Sequence, residues 1–481
     1  MLQSKDINKI SELKNGFTHR WLEPDFILGT LKCFSFSCLC KCLDPFKVRG
    51  YSFEAIFSIL ISAGFIGAST VNSMLNSYVG KHIEARKDTF YRLKNNPSIC
   101  WRLVLWLFAT KFRKTVEEHG EKIGSVKCIV FDDTLLAKTG RYIEKVSRVW
   151  DHVTGRFILG FKMLLMGYWD GTSFIPVDFS LHREQGRNKE KPFGLKKKEL
   201  KRQYRKKRAA NTHSYERSKE ADTGKIESAL KMFSRAITQG FKVDYLLMDS
   251  WFTCEAFIDA VLKVKHQVTH LIGMYKIPKT KFEYMKGSFT YSQIRNMLGR
   301  AKRCRKLGFY YNEAVVMFRG KQIKLFFSKQ GKNGKWKVFL TTNVSLSFIK
   351  MIEIYQIRWS VEVFFKESRQ LLGLGKCQSN DFDAQIADTT ITLIQHIMLT
   401  LRYRFDNYES LGALFAGIKE NVINYRLNER LWGLFIELLK LIEILFVEID
   451  EEQILERIIN DEKAYEKLAR ILDPADIKLA A

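Results

Sequence analysis

Three acidic residues lie where their carboxylates could bind divalent cations. Asp133 and Asp249 each follow an apolar run typical of a strand, and Glu362 lies in a segment with helical periodicity. Carboxylate oxygens are hard ligands, and Mg²⁺ is commonly held by a few of them together with substrate phosphates. Two such ions can stabilise the attacking and the leaving oxygen of an in-line displacement. The three residues therefore indicate metal-dependent phosphoryl transfer, provided that the fold brings them together.

The segment around Glu362 carries further groups that suit a phosphodiester. Tyr355, Arg358, Glu362, Lys366 and Arg369 are spaced by three, four, four and three residues, so a helix would present all of them on one face. A face with one carboxylate, one phenol and three cations is a poor core surface and a good surface for a phosphate beside a metal ion. An ordinary solvated charged face is the alternative, and the two aspartates weigh against it.

The overall charge points to a polyanionic partner. The chain has 481 residues, with 79 Lys and Arg against 52 Asp and Glu, a net charge of +27 and a sequence pI near 9.6. Hydrophobic residues make up 46%, which excludes wholesale disorder. Nucleic acid is the first candidate partner and an anionic membrane surface the second.

The densest run of positive charge lies between Arg183 and Arg208. It holds 13 basic and 3 acidic residues, a net charge of +10 over 26 residues, and includes Lys196, Lys197 and Lys198 in succession. Such a run repels itself unless it meets phosphate. We interpret it as a track for DNA, with a solvated loop as the alternative.

The elements that must position these groups alternate between strand and helix. Strand, strand, strand, helix, strand, helix, strand is the order of an RNase H-like mixed sheet with flanking helices, an α/β fold in which the first and fourth strands are neighbours. The ends of these two strands carry Asp133 and Asp249. The predicted strands are Val126–Phe131, Phe157–Tyr168, Ser173–Phe179, Asp244–Met248 and Val268–Met274, and the predicted helices are Ile226–Thr238 and Thr253–Val264.

The rest of the chain divides around this core, which we assign to residues 116–275 and 345–405. Residues 276–344 predict a β-rich insertion before the last acidic residue. Residues 1–115 are predicted to be helical and either recognise DNA ends or cap the next domain. Residues 406–481 are also predicted to be helical, with an acidic end that suits a peripheral helix or a dimer contact.

Several classes of protein are disfavoured. The most apolar run is too short to span a bilayer, and no signal peptide is apparent at the start of the chain. Nine cysteines form an odd set over a long chain, which argues against a secreted disulfide scaffold. Cys33, Cys38, Cys40 and Cys42 cluster without the spacing of a zinc site, so we favour core cysteines. We expect a cytoplasmic, nucleoid-associated protein without a membrane partner.

These residues resemble those of the DDE transposases of bacterial cut-and-paste insertion sequences. The resemblance is closest to the subgroup whose last acid lies in a Y-x2-R-x3-E-x6-K pattern, here Tyr355, Arg358 and Glu362 with Arg369 at the lysine position. Lys366, one helical turn earlier, could substitute for that lysine. In the subgroup the first aspartate precedes a threonine, which selects Asp133, before Thr134, over Asp132.

The resemblance implies an activity and a set of partners. Asp133, Asp249 and Glu362 would be the catalytic residues and would hold two Mg²⁺ or Mn²⁺ ions, while Tyr355, Arg358, Arg369 and Lys366 would grip DNA phosphates. Trp336, in the insertion, would stack on a base near the element's end, or else belong to the core. The enzyme would cut the ends of its own element, pass through a hairpin intermediate and join the ends to target DNA, as a homodimer in a synaptic complex on double-stranded DNA.

Two rival functions stay open. One is a catalytically inactive, transposase-derived DNA-binding protein, which should have lost an acidic residue, whereas all three are present here. The other is an RNase H-like nuclease that cuts DNA without strand transfer.

Overall fold

We examined the chain in a computed structural model. The structure describes residues 50–65, 70–76, 83–119, 124–265, 267–405, 408–419 and 451–471, with isolated positions between 30 and 68 and at 435 and 438. Of the cysteine cluster, Cys38 and Cys42 lie outside the described residues, Cys33 is exposed and Cys40 is buried. None of the described helices is long and apolar enough to cross a membrane.

The centre of the molecule is a mixed sheet with the predicted strand order. β3 pairs antiparallel with β1, β1 pairs parallel with β5, and β5 pairs parallel with β6. The first four residues of β1, Cys128 to Phe131, and all four residues of β5 are buried, as expected for central strands. The mixed α/β fold, consistent with an RNase H-like DDE fold, is therefore confirmed. These strands are β1 (Cys128–Ala137), β3 (Arg156–Trp169), β5 (Tyr245–Met248) and β6 (His270–Tyr275).

The long strand β3 pairs with two further strands on the side away from β1. The first residues of β3 pair with β2 (Ser147–Asp151), and its later residues pair with β4 (Phe174–His182). The sequence pattern did not predict β2, because it is short and partly exposed. Asp170 accepts N–H donors from Thr172 and Ser173, which closes the predicted turn between β3 and β4.

The insertion continues the sheet. β12 (Lys337–Thr341) pairs antiparallel with β6, so the strands of the insertion and those of the core form one sheet of twelve described strands. Two ion pairs, Arg319 with Glu255 and Lys321 with Asp259, tie the β10–β11 hairpin to a helix of the core. The other strands of the insertion are β7 (Lys281–Tyr284), β8 (Gly287–Thr290), β9 (Lys302–Cys304), β10 (Phe309–Phe318) and β11 (Lys321–Gln330).

Helices flank the sheet. The longest described helix, α12 (Phe382–Phe405), has most of its 24 residues buried. It packs on β4, α1 (Phe53–Phe65) and α4 (Trp101–His119). Buried Asp178 on β4 accepts N–H donors from Arg102 of α4 and Arg235 of α7, which tethers both helices to this strand. The helices before residue 345 are α1 (Phe53–Phe65), α2 (Val71–Leu75), α3 (Lys87–Lys94), α4 (Trp101–His119), α5 (Lys197–Arg202), α6 (His213–Glu220), α7 (Lys225–Thr238), α8 (Glu255–Leu262) and α9 (Tyr291–Met297).

The pattern over residues 347–372 predicts one long helix, but in the structure this segment is divided. It consists of α10 (Phe348–Gln356), a 3₁₀ turn over Ile357–Trp359 and α11 (Ser360–Gln370). Ser347 caps α10 by accepting the N–H of Lys350. α12 (Phe382–Phe405) follows, and α13 (Glu451–Asn460) and α14 (Glu462–Ile471) are the described helices of the acidic tail.

Candidate active site at the edge of the sheet

The two adjacent aspartates of β1 face opposite sides of the sheet, because side chains alternate along a strand. On one side, Phe131 packs on Phe257 of α8, and Asp133 Oδ2 accepts a hydrogen bond from Lys225 Nζ of α7 at 2.6 Å. On the other side, Asp132 and Thr134 accept hydrogen bonds from residues at and after the 3₁₀ turn that precedes α11. The side chain on the same side as Glu362 is therefore Asp132.

Arg358 joins Asp132 to Glu362. One terminal nitrogen of its guanidinium lies 3.1 Å from Asp132 Oδ2, and the other lies 2.7 Å from Glu362 Oε1. The 3₁₀ turn carries Arg358 and immediately precedes the helix that carries Glu362, so both side chains reach β1 from one short segment. The side chains of Arg358 and Glu362 thus lie on the same face of this segment.

Asp132 is held in an environment that disfavours its charge. Burial raises the pKa of Asp132 to about 7, and the charges of Asp249 and Asp133 add to this effect. The guanidinium of Arg358 and the N–H of Asp133, which donates to Asp132 Oδ1 at 2.8 Å, act in the opposite direction. β1 and β5 pair in parallel with Phe131 beside Met248, so Asp132 and Asp249 follow neighbouring positions of adjacent strands.

Asp249 lies at the end of β5 in a tight local turn. Its Oδ1 accepts the N–H of Trp251 at 2.9 Å and the N–H of Phe252 at 3.3 Å. The hydroxyl of Tyr355 donates to the carbonyl oxygen of Met248, the preceding residue, at 3.3 Å. Burial, opposed by Arg358 but reinforced by the charge of Asp249, raises the pKa of Tyr355 to about 12. Tyr355 is therefore a neutral phenol beside the aspartates.

The two remaining cations of the predicted helix face differ. Arg369 donates to the hydroxyl of Thr134 and to the carbonyl oxygen of Leu135, so its guanidinium is tied to β1. Lys366 is exposed. Arg369 is exposed as well, so the two differ in that the guanidinium of Arg369 is already bound to β1.

Trp336 is half-buried in the insertion and packs against the core. The guanidinium carbon of Arg295 lies 4.8 Å from the centre of its ring, and Lys329 Nζ lies 5.2 Å from it. Two cations therefore contact its aromatic surface already. Its role in base stacking stays a prediction.

The basic run between Arg183 and Arg208 contains two kinds of cation. Lys196, Lys197 and Lys198 are exposed at the start of α5. Lys206 and Arg208 instead turn inward. Only part of the run is therefore exposed to solvent.

The inward cations form a buried ion network with three acidic residues. Arg208 contacts Glu144 at 2.7 Å and Asp383 at 3.1 Å, and Lys206 contacts Asp383 at 2.7 Å and Asp381 at 3.1 Å. Only 4% of the Arg208 side chain is exposed. These two cations hold the end of the run against the start of α12.

The insertion carries more net charge than the run that the sequence analysis singled out. Residues 276–344 contain 17 Lys and Arg against Glu283 and Glu313, a net charge of +15. This positive charge does not stand out in the sequence, because the lysines and arginines are spread over six strands and a helix and do not form one run. It includes exposed Lys302, Arg303 and Arg305 around β9.

The donors at the sheet edge suit a hard divalent cation in kind. Asp132, Asp249 and Glu362 offer carboxylate oxygens, and Asp132 and Glu362 are on the same side of β1. Within the described ranges, however, no group of three His, Cys, Asp or Glu side chains lies close enough together to hold a metal ion. Arg358 lies between Asp132 and Glu362, so a cation at Asp132 would compete with this guanidinium.

Two family models match parts of the chain. Residues 61–270 match the family model of DDE superfamily endonucleases, and residues 211–396 match the model of transposase DDE domains. Asp132 lies in the first match, Glu362 in the second and Asp249 in both. No curated protein matches the chain. The two matches together support a DDE-superfamily transposase with a transposase-type nuclease function.

Proposed function

We propose that this chain cuts the ends of its own DNA element and joins them to target DNA by metal-dependent phosphoryl transfer, with Asp132, Asp249 and Glu362 as the metal ligands. The observation that supports the proposal is the contact of Arg358 with both Asp132 and Glu362, beside the end of β5 that Asp249 follows. Asp132 and Glu362 share the guanidinium of Arg358, and the charge of Asp249 acts on Asp132. Asp132 takes the place that the sequence pattern gave to Asp133.

The cofactor in this proposal is a pair of Mg²⁺ or Mn²⁺ ions. When bound, such ions supply charge stabilisation for the attacking and leaving oxygens and lower the pKa of bound water. Asp132 and Glu362 would hold them from the α11 side, and Asp249 from the end of β5. Two N–H groups bind Asp249 Oδ1, and Oδ2 would be the oxygen offered to a metal ion.

The cations of the site would bind DNA phosphate. Arg358 is the most direct candidate, because its guanidinium would be available to an anionic partner if Asp132 and Glu362 held a metal ion instead. Lys366, exposed on the same helix, would add a second contact, and Arg369 a third after leaving Thr134. The neutral phenol of Tyr355 can donate a hydrogen bond to a phosphate oxygen.

The duplex would extend from this site over the basic surfaces of the protein. The insertion, with a net charge of +15, and the exposed lysines at 196–198 are the best supported. Cutting and joining two ends together requires two copies of the active site, so a homodimer in a synaptic complex on double-stranded DNA belongs to the proposal. A location at the nucleoid follows from the DNA substrate.

The test uses the purified full-length chain and a plasmid that carries the DNA flanking its gene on both sides. With Mg²⁺, we expect cleavage at the element ends and joined products. Asp132→Asn, Asp249→Asn and Glu362→Gln should each lose more activity than the roughly 10- to 100-fold typical of an outer-shell change. Cleavage without joining would support the nuclease instead, and binding without cleavage by the wild type would support the inactive DNA-binding protein.

A further inference from the structure

Trp251 is an exposed tryptophan directly beside the candidate metal ligand Asp249. It lies two residues after Asp249, and its backbone N–H donates to Asp249 Oδ1 at 2.9 Å. Of its surface, 52% is exposed, among the highest values for a large hydrophobic residue in the described core. An exposed indole offers a large apolar face together with a polar N–H, a combination that is enriched at binding interfaces.

The indole is nevertheless held in place. Lys225 Nζ lies 4.0 Å from the centre of its ring, and the ring of Phe252 meets it edge-on at a centroid distance of 4.9 Å. An aromatic ring fixed by a cation and by a buried neighbour loses little conformational entropy when it binds a partner. Trp251 therefore offers a preorganised surface next to Asp249.

Asp133 fixes the cation that contacts this ring. Asp133 Oδ2 lies 2.6 Å from Lys225 Nζ, and Asp133 Oδ1 lies 3.3 Å from Nζ of buried Lys162. A continuous set of contacts thus runs from β1 through Asp133 and Lys225 to Trp251. This set explains why a second carboxylate follows Asp132 in β1, although it points away from Glu362.

We propose that Trp251 stacks on a nucleobase of the DNA strand held at Asp132, Asp249 and Glu362, and that Asp133 is a positioning residue that orients Lys225 against the indole. The proposal rests on the proposed function in that DNA must occupy this edge. Nucleobases stack on aromatic side chains irrespective of sequence, and loss of such a contact weakens binding by roughly 5- to 150-fold. Lys225 lies beside the ring, where its positive charge would attract a DNA phosphate next to the stacked base.

The structure favours Trp251 over Trp336 for this task. Trp336 is half-buried and already meets two cations, whereas Trp251 meets one cation and is more exposed. Trp251 is also linked to the candidate ligand set by a hydrogen bond, and no such link is recorded for Trp336 among the described residues.

The experiment measures stacking without cleavage. Short duplexes from the element ends would carry 2-aminopurine at successive terminal positions, with Ca²⁺ replacing Mg²⁺, and would be titrated with full-length protein. We expect quenching of 2-aminopurine at one or two positions by the wild type, loss of this quenching in Trp251→Ala, and partial recovery in Trp251→Phe. Trp150→Ala, which removes another exposed tryptophan, should retain it.

Two further measurements separate stacking from folding and from catalysis. Asp133→Asn should reduce the quenching severalfold while binding Tb³⁺, a luminescent probe of the metal site, as tightly as the wild type. Thermal denaturation of Trp251→Phe should match the wild type. Equal quenching by the wild type and Trp251→Ala would overturn the inference even if the wild type cuts DNA. Quenching that requires Trp251 in a protein that does not cut DNA would instead overturn the proposed function alone.

Discussion

Asp132 and Asp133 are adjacent in β1 but lie on opposite faces of the sheet. Asp132 contacts Arg358 on the side of α11, and Asp133 contacts Lys225 on the side of α7. The two carboxylates therefore serve different surfaces, and exchanging one for the other would require a shift of the strand by one residue. Ten paired residues between β1 and β3 prevent such a shift.

Removal of each carboxylate should separate the two roles. Asp132→Asn should abolish Mg²⁺-dependent DNA cleavage, since it removes a proposed ligand from the side of Glu362. Asp133→Asn should retain measurable cleavage, with a weaker apparent affinity for DNA through Lys225 and Trp251. Single-turnover cleavage at varied DNA concentration measures both effects. If Asp133→Asn abolished cleavage at saturating DNA while Asp132→Asn retained it, the family pattern of an aspartate before threonine would be right and the present assignment would fail.

Arg358 should oppose metal binding in the absence of DNA. Arg358→Gln leaves Asp132 and Glu362 without their shared cation, at a cost on the order of 1–3 kcal/mol to the metal-free protein. The same change removes the competitor for the metal, so Mg²⁺ should raise the melting temperature of the variant more than that of the wild type. Differential scanning calorimetry with and without Mg²⁺ provides the comparison.

Lys366→Gln is the matched control for this experiment, because Lys366 is an exposed cation on α11. We expect its melting temperature to respond to Mg²⁺ as that of the wild type does. A smaller response of Arg358→Gln than of wild type would mean that Arg358 organises the carboxylates for the metal instead of competing with it.

His182 should make the protein less stable in mild acid. Burial lowers the pKa of His182 to about 4, and its ring contacts Ser180 Oγ at 2.6 Å. Because the unfolded chain binds a proton near pH 6.5 and the folded chain does not, stability is complete above that pH and falls as the pH drops towards 4. Between pH 7.5 and 5.5 protonation of this histidine in the unfolded chain should lower the unfolding free energy by about 1 kcal/mol.

Urea denaturation at the two pH values tests this cost. His182→Gln, which cannot take up a proton in this range, should flatten the pH dependence by about that amount. His213→Gln replaces a solvent-exposed histidine and should leave the dependence unchanged. An undiminished slope in His182→Gln would assign the acid sensitivity to other groups.

The strands and helices that position the site follow from periodicity. β3, β4, β5 and β6 lie close to their predicted ranges, because long apolar runs bounded by turn residues have few alternatives. β1 instead extends to Ala137 rather than ending at Phe131, so Asp132 and Asp133 lie within the strand and not at its end. The choice between Asp132 and Asp133 could not be made in this way. It depends on which face of β1 the α11 segment covers, and that segment is more than two hundred residues further along the chain.

The distribution of charge could likewise not be predicted from the sequence, because it depends on contacts between distant residues. The partners of Lys206 and Arg208 are Glu144, Asp381 and Asp383, which are remote in sequence. A linear count of charge therefore overstates what the run between Arg183 and Arg208 offers to DNA. It understates the insertion, where the cations alternate with core residues along the strands.

Two substitutions within that run should have opposite consequences. Replacing Lys196, Lys197 and Lys198 together by Gln should leave the unfolding free energy nearly unchanged, since all three are exposed. If each lysine contacts a phosphate, the slope of log K against log salt should become shallower by up to about 2.7. Arg208→Gln should instead cost about 3–5 kcal/mol of stability, because it leaves the buried charge of Glu144 without the cation that pairs with it. It should leave the salt slope of the surviving folded protein unchanged. Fluorescence anisotropy with labelled duplex DNA over a range of NaCl measures the slopes. An unaltered slope in the triple variant would identify the exposed lysines as a solvated surface and leave the insertion as the principal DNA contact.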